Sequence, residues 1–211
     1  MTTLYLVRHG QSESNEQGIC TGQADFPLTE LGRKQARKAA EYLANERIDA
    51  AYASNLSRAL ETAEIIALPH GIAVVPVPEL REMNCGEWEA KTYTDIAKLF
   101  PSEFAVWQTK LDMARPHGGE NPYELYGRVS KKLTEIAQRH DGQTVLVVTH
   151  ALVMRTFVCM TAYGSLDSLT DLKWVPNASV TQAIYNGGKF SLGFVGYDGY
   201  LDKLSTTLKG L

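Results

Sequence analysis

The sequence predicts an α/β fold: a three-layer αβα sandwich with a mostly parallel central sheet, helices on both faces, a helical insertion over one end of the sheet and a C-terminal β-hairpin. Three observations carry this. Residues 3–7 and 144–149 are unbroken apolar runs rich in strand formers, as suits central strands covered on both faces. Amphipathic helical stripes alternate with the strand segments, the pattern of a parallel sheet with crossover helices. Asn186-Gly187-Gly188 between two apolar segments is a hairpin signal.

The elements follow in order. After the strand at 3–7, Leu31, Ala36, Ala39, Ala40 and Leu43 form one apolar face, with Lys34, Arg37, Lys38 and Glu41 opposite. Thr29 is the expected N-cap. Residues 49–54 and 72–77 are two further strands, separated by the stripe Leu56, Ala59, Leu60, Ala63, Ile66 and Ala67. Residues 84–119 break the alternation and carry Trp88, Tyr93, Phe100, Phe104 and Trp107, partly at helical spacing. They are expected to form the helical insertion, about 88–120. Asn121, Pro122 and Glu124 supply a cap, a first-turn proline and a reciprocal carboxylate for the helix bearing Leu125, Val129, Leu133, Ile136 and Ala137. The hairpin pairs 178–185 with 190–195. The last dozen residues are weakly patterned and are expected to be loosely attached. No repeat or linker divides the chain, so 1–211 reads as a single domain.

Composition excludes several functions. Hydrophobic residues make up 44% and charged residues 21%, ordinary for a globular enzyme, and the net charge of −3 invites neither nucleic acid nor an anionic membrane. No apolar run approaches the roughly 20 residues that span a bilayer. The N-terminus has no signal-peptide pattern, so a cytoplasmic location is expected. Cys20, Cys85 and Cys159 are odd in number and widely spaced. A disulfide framework or structural zinc is not expected, and each thiol reads as a small buried group without a chemical role. A homo-oligomer is compatible with the sequence, which fixes no oligomeric state.

The chemistry concentrates at strand ends. Arg8-His9-Gly10 closes the first strand, and His150 closes the strand at 144–149. Ligands of open α/β sheets bind beyond the carboxyl ends of the strands, so both histidines are expected to face one crevice. Arg58 lies at a strand-to-helix junction, where a helix N-terminus and a planar guanidinium both favour phosphate oxygens.

With these residues in view, the chain resembles the histidine phosphatase superfamily, in the branch that includes cofactor-dependent phosphoglycerate mutases and small phosphatases. The motifs are L-V-R-H-G-Q-S-E-S-N at 6–15, D-F-P-L-T-E-L-G-R-K-Q-A at 25–36, S-N-L-S-R-A-L-E-T-A at 54–63, L-R-E-M-N-C-G-E-W-E at 80–89, G-G-E-N at 118–121 and V-T-H at 148–150. They cover nearly the whole chain in the family's order. The resemblance implies a helical insertion over the active site and assigns roles. His9 is the nucleophile that becomes phosphohistidine. Arg8, Arg58 and His150 hold the phosphoryl group, Asn15 contacts phosphate, and Thr21 and Gly22 come from the substrate loop. Glu82 is the proton donor to the leaving oxygen. It implies no metal and no cofactor, and a small phosphorylated metabolite as partner. Attack needs one imidazole nitrogen without a proton, which neighbouring arginines favour. The other nitrogen needs an acceptor. A partly buried glutamate can keep its proton, although the arginines oppose that.

The sequence departs from the family pattern at Ala90 and Ala151, where glycine is common; both alanines fit if their φ is negative. Glu87 and Glu89 are rivals to Glu82 as the acid, with a solvated loop face as their alternative. Glu82-Met83-Asn84-Cys85-Gly86, the short interval from 82 to 150, Gln23 in place of a common tryptophan and Gly86-Glu87-Trp88-Glu89 all favour a phosphatase. A phosphoglycerate mutase is the alternative, and a non-catalytic binding or regulatory protein on the same fold is the second. Tyr93, Phe100, Trp107 and His117 are the candidates to touch a leaving group, with His117 expected to be solvated.

Overall fold

The structure is a computed structural model that describes residues 1–207. Six strands form the main sheet: β1 (Thr2–Arg8), β3 (Ala50–Ala53), β4 (Val74–Pro76), β6 (Thr144–Thr149), β7 (Val180–Asn186) and β8 (Lys189–Leu192). Their order is β4-β3-β6-β1-β7-β8. The first four are mutually parallel, and β7 and β8 are antiparallel additions at one edge. Two short strands, β2 (Ile19–Cys20) and β5 (Lys91–Thr92), pair separately, and a short helix, α1 (Glu13–Gln17), lies between β1 and β2.

Period-two alternation divides the core. Leu4 and Leu6 of β1 join Val145 and Val147 under α6 (Pro122–Arg139) and α7 (Ala151–Tyr163). Tyr5 and Val7 join Leu146 and Val148 under α2 (Glu30–Leu43) and α3 (Ser57–Ala67). Both faces are covered, which is why these strands show no polar alternation. The predicted caps hold: Thr29 accepts the Gly32 N–H, and Asn121 and Glu124 form a reciprocal capping box.

The aromatic segment forms two short helices, α4 (Tyr93–Leu99) and α5 (Pro101–Thr109), split at Phe100-Pro101. Trp88, Tyr93, Phe104 and Trp107 are buried in the first core, with Phe100 packed beside them. β4 is shorter than expected, because Val75 and Pro76 lie on the exposed edge, where a proline costs no ladder bond. The hairpin turns on Gly187 and Gly188, both at positive φ, while Asn186 stays in the strand opposite Lys189.

The expectation of a loosely attached C-terminus is wrong for its described part. Leu201 is buried, Gln35 Nε2 donates to Leu204 O (2.7 Å) and Thr206 Oγ1 (2.8 Å), and Asn177 N–H donates to Thr206 O (2.8 Å). Hydrogen bonds from Gln35 and Asn177 tether this stretch, and hydropathy patterning does not register such bonds. The end of that stretch, 208–211, lies outside the described residues. Among the described residues, no helix is long and apolar enough to cross a membrane.

Candidate active site

Two neighbouring parallel strands deliver the two histidines to one place. His9 follows β1 directly, its N–H donating to Thr149 O (2.9 Å), and His150 follows β6 as the N-terminal residue before α7. Their ring centroids lie 5.1 Å apart at 60°. Behind His9, Gly10 presses against the first turn of α2: a Cβ there would sit 2.4 Å from Gly32 O.

The His9 ring is oriented by its own loop. Nδ1 lies 2.7 Å from Gly10 O. A carbonyl only accepts, so Nδ1 carries the proton and Nε2 of the neutral ring carries the lone pair. Burial first, then the charges of Arg58 and Arg8, push the His9 pKa well below 6.5. The His150 pKa is lowered for the same reasons, burial leading.

Arg8, Arg58 and His150 are all buried. Arg8 Nη1 donates to Val175 O (2.7 Å). Arg58, in the first turn of α3, donates from Nη1 to Ala24 O (3.0 Å) and from Nη2 to Gly22 O (2.9 Å). Arg8 Nε, Arg58 Nε and both His150 ring nitrogens are buried with no protein partner. Burial lowers both arginine pKa values to about 10, which still leaves two full positive charges at neutral pH. Charged donors clustered without protein acceptors suit an anion with several oxygens.

Glu82 lines the same crevice as Arg8 and Arg58. Its Oε1 accepts the Met83 N–H (2.9 Å) and its Oε2 the Leu152 N–H (3.2 Å). Burial raises its pKa above 4.5, against those two N–H groups and the charges of Arg58 and Arg8. Asn15 is buried, and its Oδ1 accepts from Ser12 N–H (3.2 Å) and Asn177 Nδ2 (3.0 Å), which leaves its own Nδ2 to offer a ligand.

Arg8, His9, Asn15, Arg58 and Glu82 line one crevice of about 490 Å³ with Ile19, Cys20, Thr21, Gly22, Met83, Cys85, Tyr93, Trp107, Leu152 and Trp174, and His150 is not part of that lining but packs against the His9 ring. Thr21 and Gly22 are in place but occupied: Thr21 Oγ1 donates to Ser14 Oγ (2.6 Å), and Gly22 O holds Arg58. Of the leaving-group candidates, Tyr93 and Trp107 line the crevice, while Phe100 and His117 do not. Neither Glu87 nor Glu89 reaches it. Glu87 is exposed, as a solvated loop residue is. Glu89 is half-buried, and its Oε1 accepts the Gln23 N–H (2.8 Å) and the Cys85 N–H (3.1 Å), bracing the loops beside Gly22.

Ala90 corrects another expectation. Its φ is +62°, the left-handed region, and its N–H is held by Cys20 O (2.9 Å). Ala151 opens α7 in helical conformation and fits without strain. Sequence reasoning missed Asn177 and Trp174. Asn177 is fully buried and ties Asn15 to His9 O (3.1 Å), but V-P-N-A carries no chemical spacing and resembles any turn.

The sequence profile of the histidine phosphatase superfamily (branch 1) matches residues 4–197. Phosphoserine phosphatase 1 of Hydrogenobacter thermophilus is 35% identical over 159 residues, 75% of either chain. The adenosylcobalamin/alpha-ribazole phosphatase of Salmonella typhimurium is 32% identical over 155 residues, 74% of this chain and 77% of that one. The solved structure of Bacillus stearothermophilus YhfR superposes with a TM-score of 0.92 at 34% identity, covering 95% of this chain and 100% of that one. Proteins bearing phosphoglycerate mutase names also match.

Proposed function

The chain belongs to the histidine phosphatase superfamily, branch 1, and from that premise we propose that it is a phosphatase hydrolysing a small phosphomonoester through a phosphohistidine on His9, with Glu82 as proton donor. The observation that carries this reading is the His9 Nδ1 bond to Gly10 O. It leaves Nε2 unprotonated among the unpartnered donors of Arg8, Arg58 and His150.

In the first step Nε2 forms a bond to phosphorus and the ester P–O bond breaks. The leaving oxygen takes the proton of Glu82, whose raised pKa favours the acid form. Arg8, Arg58 and His150 balance charge on the remaining phosphoryl oxygens, where catalysis is mainly positioning and electrostatics. In the second step water attacks phosphorus, Glu82 carboxylate takes the water proton, and the P–N bond breaks to release phosphate. The Cys85 thiol is held well above its ordinary range by the neighbouring Cys20 thiol and by burial, so it offers no rival thiolate.

A mutase must also hold a second anionic group of its substrate. The cationic side chains lining the crevice are Arg8 and Arg58, both committed to the phosphoryl position, which favours hydrolysis. The full set of His9, Arg8, Arg58, Glu82 and His150 argues against a non-catalytic binding protein. The small crevice and the net charge of −3 fit a small cytoplasmic metabolite, and the whole chain reads as one domain built around this site.

The test is to quench the enzyme during turnover of a phosphomonoester and map the label. An acid-labile, alkali-stable phosphoryl group on His9, with inorganic phosphate as product, is expected. A phosphoenzyme absent or elsewhere overturns the mechanism. Isomerisation of 3-phosphoglycerate dependent on 2,3-bisphosphoglycerate, outpacing phosphate release, makes the protein a mutase.

A further inference from the structure

The acid on the crevice wall is held by a residue that never reaches the crevice. Arg128 lies two turns into α6 and uses all five guanidinium N–H groups. Nη1 donates to Glu79 O and Arg81 O, both at 2.8 Å. Nη2 donates to Glu82 O (2.8 Å) and Glu120 Oε2 (2.9 Å), and Nε donates to Glu120 Oε1 (2.7 Å). Glu120 Oε2 also accepts the Asn84 N–H (2.9 Å). The backbone is thus gripped before Glu82, at Glu82 and after it, by one ion pair that is half-buried.

Such a density of bonds on one short loop needs a reason. Residues 79–84 contain one 3-10 turn and no strand, so no sheet ladder fixes the Glu82 backbone. The Glu82 carboxyl touches only two N–H groups and no cation in an ion pair, so its aim depends on where its backbone sits. α6 is 18 residues long with a complete capping box, a rigid base for that backbone. A misplacement of about 1 Å at a reacting group costs on the order of 100-fold in rate.

We propose that Arg128, paired with Glu120, is the positioning residue that fixes Glu82 at proton-transfer distance from the leaving oxygen. This rests on the reading of Glu82 as the acid. The role is geometric: lysine keeps the charge but has no planar fork and cannot bridge three carbonyls and a carboxylate.

The experiment separates geometry from general stability by the leaving group. kcat/KM reports the steps through ester cleavage, and a leaving group of low pKa departs without a proton. Arg128→Lys, Glu120→Gln and Glu82→Gln are assayed with 4-nitrophenyl phosphate, phenyl phosphate and an alkyl phosphomonoester, with folding checked by thermal melting. Arg128→Lys is expected to lose about 100-fold in kcat/KM on the alkyl ester and less than about 5-fold on the nitrophenyl ester, in the pattern of Glu82→Gln at lower amplitude. Glu120→Gln is expected to follow the same pattern and stands in if Arg128→Lys does not fold. An equal loss on all three esters in a folded variant, or no loss, overturns the positioning role while leaving Glu82 as the acid. If Glu82→Gln itself shows no leaving-group dependence, the reading of Glu82 fails and this proposal with it.

Discussion

His9 and His150 face each other at 5.1 Å between ring centroids, yet only His9 has a ring nitrogen engaged by the protein. Two imidazolium ions at that separation would repel strongly, and burial beside Arg58 and Arg8 keeps both rings neutral. The asymmetry divides the work. In the proposed mechanism the ring fixed by Gly10 O presents the lone pair, and the unengaged ring is the one free to donate to phosphoryl oxygens. His9→Ala is expected to abolish phosphate release and phosphoenzyme labelling while the melting temperature stays within a few degrees, because His9 ends a strand and packs in neither apolar cluster. A folded His9→Ala protein that still turns over removes the phosphohistidine.

The same loop is held from behind by close backbone contact. A Cβ at Gly32 would lie 2.1 Å from Gln11 O, and one at Gly10 would lie 2.4 Å from Gly32 O. Both neighbours are backbone and cannot rotate away. Gly10→Ala is expected to destabilise the fold by about 2 kcal/mol or more and to lower kcat, since the displaced carbonyl is the one that orients His9. Chemical denaturation and steady-state kinetics on the same preparation check both effects.

Ala90 stores strain that glycine would relieve. A left-handed alanine costs roughly 1–2 kcal/mol, and Ala90 sits there at φ +62° with its N–H bonded to Cys20 O. Ala90→Gly is expected to raise the melting temperature by about 2–4 °C with little change in kcat/KM. A fall in melting temperature would show that the loop gains more from reduced chain entropy than it loses to strain.

The central strands and capped helices were legible because their signals are local: apolar runs, a 3.6 period, a cap and its reciprocal glutamate. The crevice was legible because Arg8-His9, Arg58 and His150 sit at element ends, where α/β folds gather ligands. What escaped were residues whose meaning exists only in three dimensions. Asn177 lies 168 positions from His9 and binds its carbonyl. Glu89 resembles a surface acid in sequence but caps two backbone N–H groups. The sign of φ at Ala90 is a property of the loop that β2 and β5 close, not of the residue.

Asn177 offers a test of that hidden layer. It is fully buried and joins Asn15 Oδ1 (3.0 Å) to His9 O (3.1 Å). Asn177→Leu keeps the volume but removes one of the two donors to each acceptor, Ser12 N–H staying on Asn15 Oδ1 and Ala178 N–H on His9 O, so a loss of roughly 1–3 kcal/mol for the two bonds is expected. Activity is expected to fall mainly through KM, as Asn15 loses its orientation on the phosphate side. A fall confined to kcat would place the effect on the His9 ring instead.

The shifts at His9 and Glu82 set the pH dependence expected of the proposed mechanism. Burial and the arginines lower the His9 pKa from 6.5, and burial raises that of Glu82 from 4.5. Both shifts favour a neutral imidazole with a protonated carboxyl over the charged pair. The stability signs are opposite. A histidine with a lowered folded pKa contributes stability fully present above about 6.5 and lost as pH falls below it, because the unfolded chain then takes up the proton. A carboxyl with a raised folded pKa contributes stability fully present below about 4.3 and lost as pH rises through the folded value. For turnover, kcat/KM on an alkyl phosphomonoester is expected to fall as pH rises past the Glu82 pKa, and Glu82→Gln is expected to lose that limb. Arg58→Met removes a positive charge beside His9, so its acid limb is expected to move to higher pH. An acid limb that stays in place in Arg58→Met would show that the Arg58 guanidinium does not set the charge state of His9, leaving that to burial and Arg8.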